Sequence, residues 1–240
     1  MSRAFATDWR YTIMKRMYGI NADSITCSEK VGNTKFIKKA GFDCFTFYHY
    51  LGTGKNSDMA DSLGLSFEHI YVYSLDANLL WKGGDGAVRV LENMKNACNT
   101  AVSCSILKVS FNIATDPSIV ANDEGFARFD QVIATAKEKG IRLAFRISEN
   151  TALINAFGER YADNDTVGYC YDNSVSIDGI SETVKSRIIT TNITDLDGTV
   201  EKLDESVPFT AIAYTNAHPY KNMTKEEFLA TVLQKLKALG

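Results

Sequence analysis

Short apolar segments alternate with longer amphipathic ones along the whole of this 240-residue sequence, and this alternation most constrains its fold. Eight of the short segments are rich in β-branched and aromatic side chains, which is typical of buried strands. They are residues 17–21, 42–47, 69–74, 105–111, 141–147, 167–172, 187–193 and 209–214. Between them, segments such as 87–100, 124–139 and 225–238 carry apolar residues at helical spacing. Strands that alternate with helices predict repeated βα units and a parallel sheet.

Eight βα units within residues 17–240 predict a (β/α)8 TIM barrel, α/β in class and a single domain over 1–240. Residues 1–16 precede the first strand as an N-terminal extension. A doubly wound open sheet is less favoured, because no GxGxxG follows the first strand and GKNSDMADSLG does not have phosphate-loop spacing. The sequence contains no Pro-rich or Ser-rich linker that would mark a domain boundary.

The faces of the predicted strands follow from residue parity. Gly41, Gly64 and Gly140 stand between a helix and a strand, where a left-handed residue ends the helix. In IRLAFRI the apolar residues alternate with charged or small ones, so one face packs on the helices and the other points inward. This places Arg146 inside the barrel near its carboxyl-terminal end.

Composition argues against several classes of function. The net charge of -3 gives no electrostatic footprint for nucleic acid or an anionic membrane. No apolar run approaches the roughly 20 residues of a membrane helix, and the N-terminus has no signal-peptide core. We therefore expect a cytoplasmic protein. The five cysteines show no CxxC spacing and are expected to be reduced, without disulfides or a zinc site.

Several segments together resemble the xylose isomerase-like superfamily of sugar phosphate isomerase and epimerase barrels. They are KFIKKAGFDCFTF, AKEKGIRLAFRISEN, VGYCYDNSVS, RIITTNITDLDG and NMTKEEFLATVLQKLKAL. The resemblance implies a TIM barrel that acts on a small sugar or sugar phosphate at the carboxyl ends of its strands. It also implies one divalent metal, Mn, Mg or Zn, held by two glutamates, an aspartate and a histidine from strands five to eight.

Only one of these four ligands is present where the resemblance places it. Asp172 is the aspartate, and is the candidate metal ligand and catalytic residue. Arg146 stands at the position of the first glutamate, Asn192 at that of the metal histidine, and Tyr214 near that of the second glutamate. The histidine that follows the aspartate in the family is Val175. Arg146, Asn192 and Tyr214 are then candidates for substrate contact.

Two readings of this mouth remain open. Arg146 beside Asp172 predicts an ion pair where the family holds a metal. A bulge in the fifth strand would instead bring Glu149 to the mouth as a catalytic carboxylate, whereas ungapped parity leaves it in the loop. Asp172 itself binds a ligand or serves the following turn, and Asp195, the acid kept in the seventh-strand pattern, is a further substrate-binding candidate.

Outside this pattern, Lys108 shares parity with inward-facing positions and is a candidate catalytic or substrate-contact residue; the alternative is an outward, solvated side chain. His49 and His218 follow the second and eighth strands and are expected to contact substrate at the mouth. His69, at the start of the predicted third strand, is expected at the barrel floor, where residues serve stability.

Two hypotheses follow. The first is an isomerase or epimerase-like protein that binds a small sugar or sugar phosphate, with metal-dependent catalysis changed or lost; a metal-free reaction using Lys108 or a histidine as base is one form of it. The second is a non-catalytic binding or scaffold barrel closed by an Arg146–Asp172 pair. The related abasic-site endonucleases need a histidine-rich metal cluster and a basic face, which this sequence does not offer. It leaves open whether the chain forms a homo-oligomer.

Overall fold

The computed structural model describes residues 15–25, 33–48, 64–72, 76–212 and 222–240. Its centre is a closed barrel of eight parallel strands in the order β1 to β8, which confirms the predicted (β/α)8 fold. The strands are β1 Tyr18–Asn21, β2 Cys44–Tyr48, β3 Ser66–Tyr71, β4 Lys108–Asn112, β5 Arg142–Arg146, β6 Val167–Asp172, β7 Ile188–Ile193 and β8 Phe209–Ala211.

The helices pack outside the barrel. They are α1 Asn33–Ala40, α2 Asn78–Lys82, α3 Gly84–Ser103, α4 Asp123–Glu138, α5 Thr151–Arg160, α6 Glu182–Lys185 and α7 Lys225–Leu239. The three helices predicted from apolar spacing correspond to α3, α4 and α7. No helix in the described ranges is both long and apolar enough to cross a membrane.

Outward-facing strand residues form the core with the helices. Phe145 of β5 is fully buried, and its ring centroid lies 5.7 Å from that of Phe129 in α4 and 4.8 Å from that of Phe157 in α5. This confirms the parity predicted for β5, because side chains alternate between the two faces of a strand. Arg146, the next residue, consequently faces the barrel interior.

The turn from α4 into β5 depends on Gly140, which has a φ of 68°. The Gly140 amide donates to the Lys137 carbonyl at 3.2 Å, and the Ile141 amide donates to the Ala136 carbonyl at 2.9 Å. These two bonds are those of a Schellman motif, which needs a left-handed residue at this position. Gly41 makes the same turn before β2, with a φ of 91°.

The predicted third strand was placed three residues too late. The sequence suggested 69–74, whereas β3 runs from Ser66 to Tyr71. The register between β2 and β3 passes from Phe45↔Phe67 to Thr46↔His69, so Glu68 is the extra residue of a β-bulge. His69 is therefore the fourth residue of six and not the first, and it is fully buried beside Glu68.

The chain just before β1 is fixed by Arg16, although most of the predicted N-terminal extension lies outside the described residues. The Arg16 guanidinium lies 4.0 Å from the centroid of the Phe209 ring. It donates hydrogen bonds to the carbonyl oxygens of Val207, Leu203 and Asp204 at 2.8 to 3.0 Å. This arginine thus joins the start of β1 to the segment that enters β8.

Candidate functional site

The carboxyl ends of β5 and β6 bring two opposite charges together. Arg146 ends β5 and Asp172 ends β6, and Arg146 Nη2 donates to Asp172 Oδ2 at 2.7 Å. The exposed fraction is 18% for the Arg146 side chain and 2% for that of Asp172. The ion pair lies at the carboxyl-terminal end of the strands, the end at which TIM barrels carry their active sites.

The second oxygen of Asp172 is also fully engaged. Oδ1 accepts from the Ser174 amide at 3.1 Å, from Ser174 Oγ at 2.7 Å and from Thr194 Oγ1 at 2.5 Å. Four hydrogen bonds thus engage both oxygens of one buried carboxylate. Asp172 is therefore held as the counter-ion of Arg146 and as the anchor of the turn after β6.

Arg146 is held on its other side by an aromatic ring. Its guanidinium carbon lies 4.6 Å from the centroid of the Tyr71 ring, within cation–π range. Cys170 is its neighbour in register on β6, and burial raises the pKa of the Cys170 thiol to about 12. The thiol stays protonated at neutral pH, so Cys170 adds no charge beside the Arg146–Asp172 pair.

Asn192 continues the row of polar side chains onto β7. It pairs in register with Asp172 on one side and with Thr210 of β8 on the other. Its side chain is fully buried, and neither Oδ1 nor Nδ2 has a hydrogen-bond partner among the residues that the structure describes. A buried amide with no partner is uncommon in proteins, so Asn192 is a candidate for a binding group.

The residues at this position do not fit a divalent metal. Asp172 has no oxygen free of hydrogen bonds, and Arg146 supplies a positive charge where the metal would need an acidic ligand. Glu149 is exposed in the loop before α5, and Asp195 is exposed with its carboxylate accepting the Asp197 amide at 3.0 Å. Over the described ranges, no three His, Cys, Asp or Glu side chains are grouped as metal ligands.

Three predicted site residues cannot be placed. His49, His218 and Tyr214 lie outside the described residues, and their proposed contacts at the mouth stay predictions.

Lys108 faces the interior as its parity predicts, but at the opposite end of the barrel. It is the first residue of β4, whereas Arg146 is in register with Asn112, four residues or about 13 Å further along that strand. Lys108 Nζ contacts the Glu68 carboxylate and donates to the Ile189 carbonyl at 3.2 Å. The structure therefore does not bring Lys108 to the mouth.

Glu68 is the centre of a buried charge network near the floor. One carboxylate oxygen contacts Lys108 Nζ and the other contacts His69 Nδ1. Burial alone would raise the pKa of Glu68, but the charges of Lys108 and His69 together hold it at about 2. The network keeps an ionised carboxylate inside the barrel.

Sequence reasoning missed Ser174, Thr194 and Asn173, which complete the site. Ser174 follows Asp172 by two residues, and this spacing after a strand is a recognisable Asx-type turn signal. Asn173 Oδ1 accepts from the amides of Thr194 and Asp195 at 3.0 and 3.1 Å, which joins the loops after β6 and β7. No local sequence signal indicates the contact between Thr194 and Asp172, because it depends on how two strands align.

Comparison with solved structures finds sugar epimerases of the same architecture. D-psicose 3-epimerase from Clostridium cellulolyticum H10, determined with D-tagatose, aligns over 94% of this chain and 99% of its own, with a TM-score of 0.71 and 11% identity. 3-Keto-D-glucoside 4-epimerase from E. coli aligns over 93% of this chain and 100% of its own, with a TM-score of 0.71 and 12% identity. A xylose isomerase domain protein from Planctomyces limnophilus aligns over 94% of this chain and 98% of its own, with a TM-score of 0.66 and 10% identity.

These likenesses confirm the resemblance to xylose isomerase-like barrels at the level of the fold. No protein-family model matches the chain, and no curated protein matches it.

Proposed function

We propose that this chain binds a small sugar or sugar phosphate at the carboxyl-terminal mouth of its barrel, with the Arg146 cation in the place of the metal. The observation that carries the proposal is the 2.7 Å pair between Arg146 and Asp172, with the unpartnered amide of Asn192 next to it. A partly exposed guanidinium and a free amide are the kinds of group that orient a polar ligand. The epimerase folds of the structural neighbours support a sugar as that ligand.

If the chain is catalytic, its reaction is of the isomerase or epimerase type. Such a reaction removes a proton next to a carbonyl, and the negative oxygen that develops would be stabilised by a cation such as Arg146. Asp172 is poorly placed to accept that proton, because four hydrogen-bond donors already engage both of its oxygens. A base would have to come from another residue of the mouth.

The saturation of Asp172 equally favours a second function, a non-catalytic sugar-binding barrel. Deuterium exchange from solvent distinguishes a catalytic barrel from one that only binds sugar. Incubation with a bound ketose in D2O incorporates deuterium next to the carbonyl if a base operates, and leaves the sugar unlabelled if the barrel only binds.

Calorimetric titration of the chelator-treated protein with a panel of aldoses, ketoses and their phosphates tests the proposal. We expect binding without added metal, and its loss by at least tenfold in Arg146→Met. Arg142→Met is the matched control, since Arg142 lies on the same strand at the opposite end. Micromolar Mn²⁺ binding that disappears in Asp172→Ala, together with sugar binding that needs Mn²⁺, would contradict the arginine-for-metal reading.

A further inference from the structure

The barrel interior beneath the mouth is lined by small polar side chains. TIM-barrel interiors are usually filled by layers of bulky branched residues. Here, strand parity and register place small or polar residues at the inward positions of six strands. They are Asn21, Thr46, Ser110, Cys170, Thr190, Asn192 and Thr210, and all are fully buried.

Four of these residues form a continuous wall on β7, β8, β1 and β2. Asn192 pairs in register with Thr210, Thr210 with Gly19 of β1, and Asn21, two residues further along β1, with Thr46. Thr46 Oγ1, Thr210 Oγ1, Asn21 Nδ2 and both polar atoms of Asn192 have no hydrogen-bond partner within the part of the chain that the structure describes.

Such a cluster lowers the stability of the free protein. A buried donor or acceptor without a partner keeps its full desolvation penalty, and native proteins contain few of them. The apolar isosteres would avoid the penalty at no cost in volume. Polar groups that oppose stability and lie side by side next to a binding site are typical of groups kept for a ligand.

The charges of the interior indicate the class of that ligand. Arg146 is paired with Asp172, and Lys108 with Glu68, so the two largely buried cations that the structure describes inside the barrel already have a carboxylate. Arg142, which shares the parity of Arg146, is exposed at the opposite end of β5. The remaining groups are neutral amides and hydroxyls, which together donate and accept. A sugar hydroxyl also does both, whereas a phosphate dianion would need an uncompensated cation.

We propose that Asn21, Thr46, Asn192 and Thr210 bind the hydroxyl groups of an uncharged polyhydroxylated ligand. This inference rests on the proposed function, since it takes the mouth beside Arg146 as the place where the ligand enters. The wall extends the site to strands β8, β1 and β2 and selects the free sugar over its phosphate ester. Each unpartnered atom of the wall gains its first hydrogen bond when the ligand arrives, so little desolvation of the protein opposes binding.

The test replaces single hydroxyls by methyl groups. Thr46→Val and Thr210→Val should each raise the melting temperature, because an unpartnered polar atom is removed, and should weaken binding of a neutral ketose by about five- to tenfold. If the hydroxyl instead stabilised the fold, its removal would lower the melting temperature. A fall in melting temperature, or unchanged affinity in both variants, would overturn the inference.

Thr191→Val is the matched control. Thr191 also has a fully buried, unpartnered hydroxyl among the described residues, but its register partners Tyr171 and Phe209 belong to the outer hydrophobic core. It should gain stability and keep wild-type affinity.

The choice of ligand separates this inference from the function on which it rests. The wild-type protein is titrated with a ketose and with the phosphate ester of the same ketose. Tighter binding of the free sugar is expected. Tighter binding of the ester would overturn the uncharged class while leaving a sugar site in place, and binding of neither would overturn the proposed function itself.

Discussion

Removal of the Asp172 carboxylate should be the most damaging single change at the mouth. Asp172→Ala leaves the Arg146 guanidinium without its anion. Only 18% of the Arg146 side chain is exposed, so water can replace that anion only in part. It also removes the acceptor used by Ser174 and Thr194. Breaking a buried ion pair costs about 3–5 kcal/mol. Because Arg146 retains some contact with solvent, we expect about 2–4 kcal/mol.

The arginine should matter less on its own. Arg146→Met replaces the guanidinium by an apolar side chain, and Asp172 keeps three donors from Ser174 and Thr194. We expect a loss of about 1–2 kcal/mol. The double variant has neither buried charge, so its loss should be smaller than the sum of the two by about 1–3 kcal/mol, the usual coupling of contacting residues.

Urea unfolding followed by circular dichroism measures these differences, provided that the slope of the transition is unchanged. A loss of about 3 kcal/mol would lower the melting temperature by about 6–12 °C for a chain of this length. A loss below about 1 kcal/mol in Asp172→Ala, or strict additivity in the double variant, would refute the view that this pair is a buried structural unit.

Two further predictions concern the floor and a turn. The folded-state pKa of Glu68 is lowered to about 2, so its ionised form contributes stability that is complete above about pH 5 and declines as the pH falls towards 2. Glu68→Gln should flatten this part of the stability curve, and an unchanged slope between pH 5 and 3 would contradict the network. Gly140 has a φ of 68° and an open Cβ position, so Gly140→Ala should lose about 1 kcal/mol through strain alone, measured by urea unfolding.

The barrel was predictable because apolar residues recur at different spacings in its strands and in its helices. The alternation in β5 predicted that Phe145 would face the helices and Arg146 the interior, and both follow from side-chain direction in a strand. In β3 the same reasoning failed. Glu68 and His69 are polar residues in the middle of the strand, so the segment that begins at His69 was interpreted as the whole strand, and no sequence pattern reveals the bulge that turns both inward.

The site was predictable only in part, because height along the barrel depends on where each strand begins. Parity assigned Lys108 correctly to the interior, but β4 starts at that residue, which puts it near the floor. The contact between Thr194 and Asp172 depends on the register of β6 with β7, which includes an irregularity after Tyr169. A sequence fixes the direction of a side chain locally, whereas the neighbours it meets depend on the alignment of strands distant in the chain.

The proposed replacement of a metal by Arg146 changes what the rest of the mouth can do. A bound cation shares its charge among several ligands and can still polarise a substrate oxygen. Arg146 is fixed to β5, and its charge is balanced by Asp172, which in turn is saturated by Ser174 and Thr194. Little uncompensated charge then remains for a ligand among the described groups. Under the proposed function, recognition then depends on neutral donors and acceptors, and the Asn192 amide offers both without a partner among the described residues.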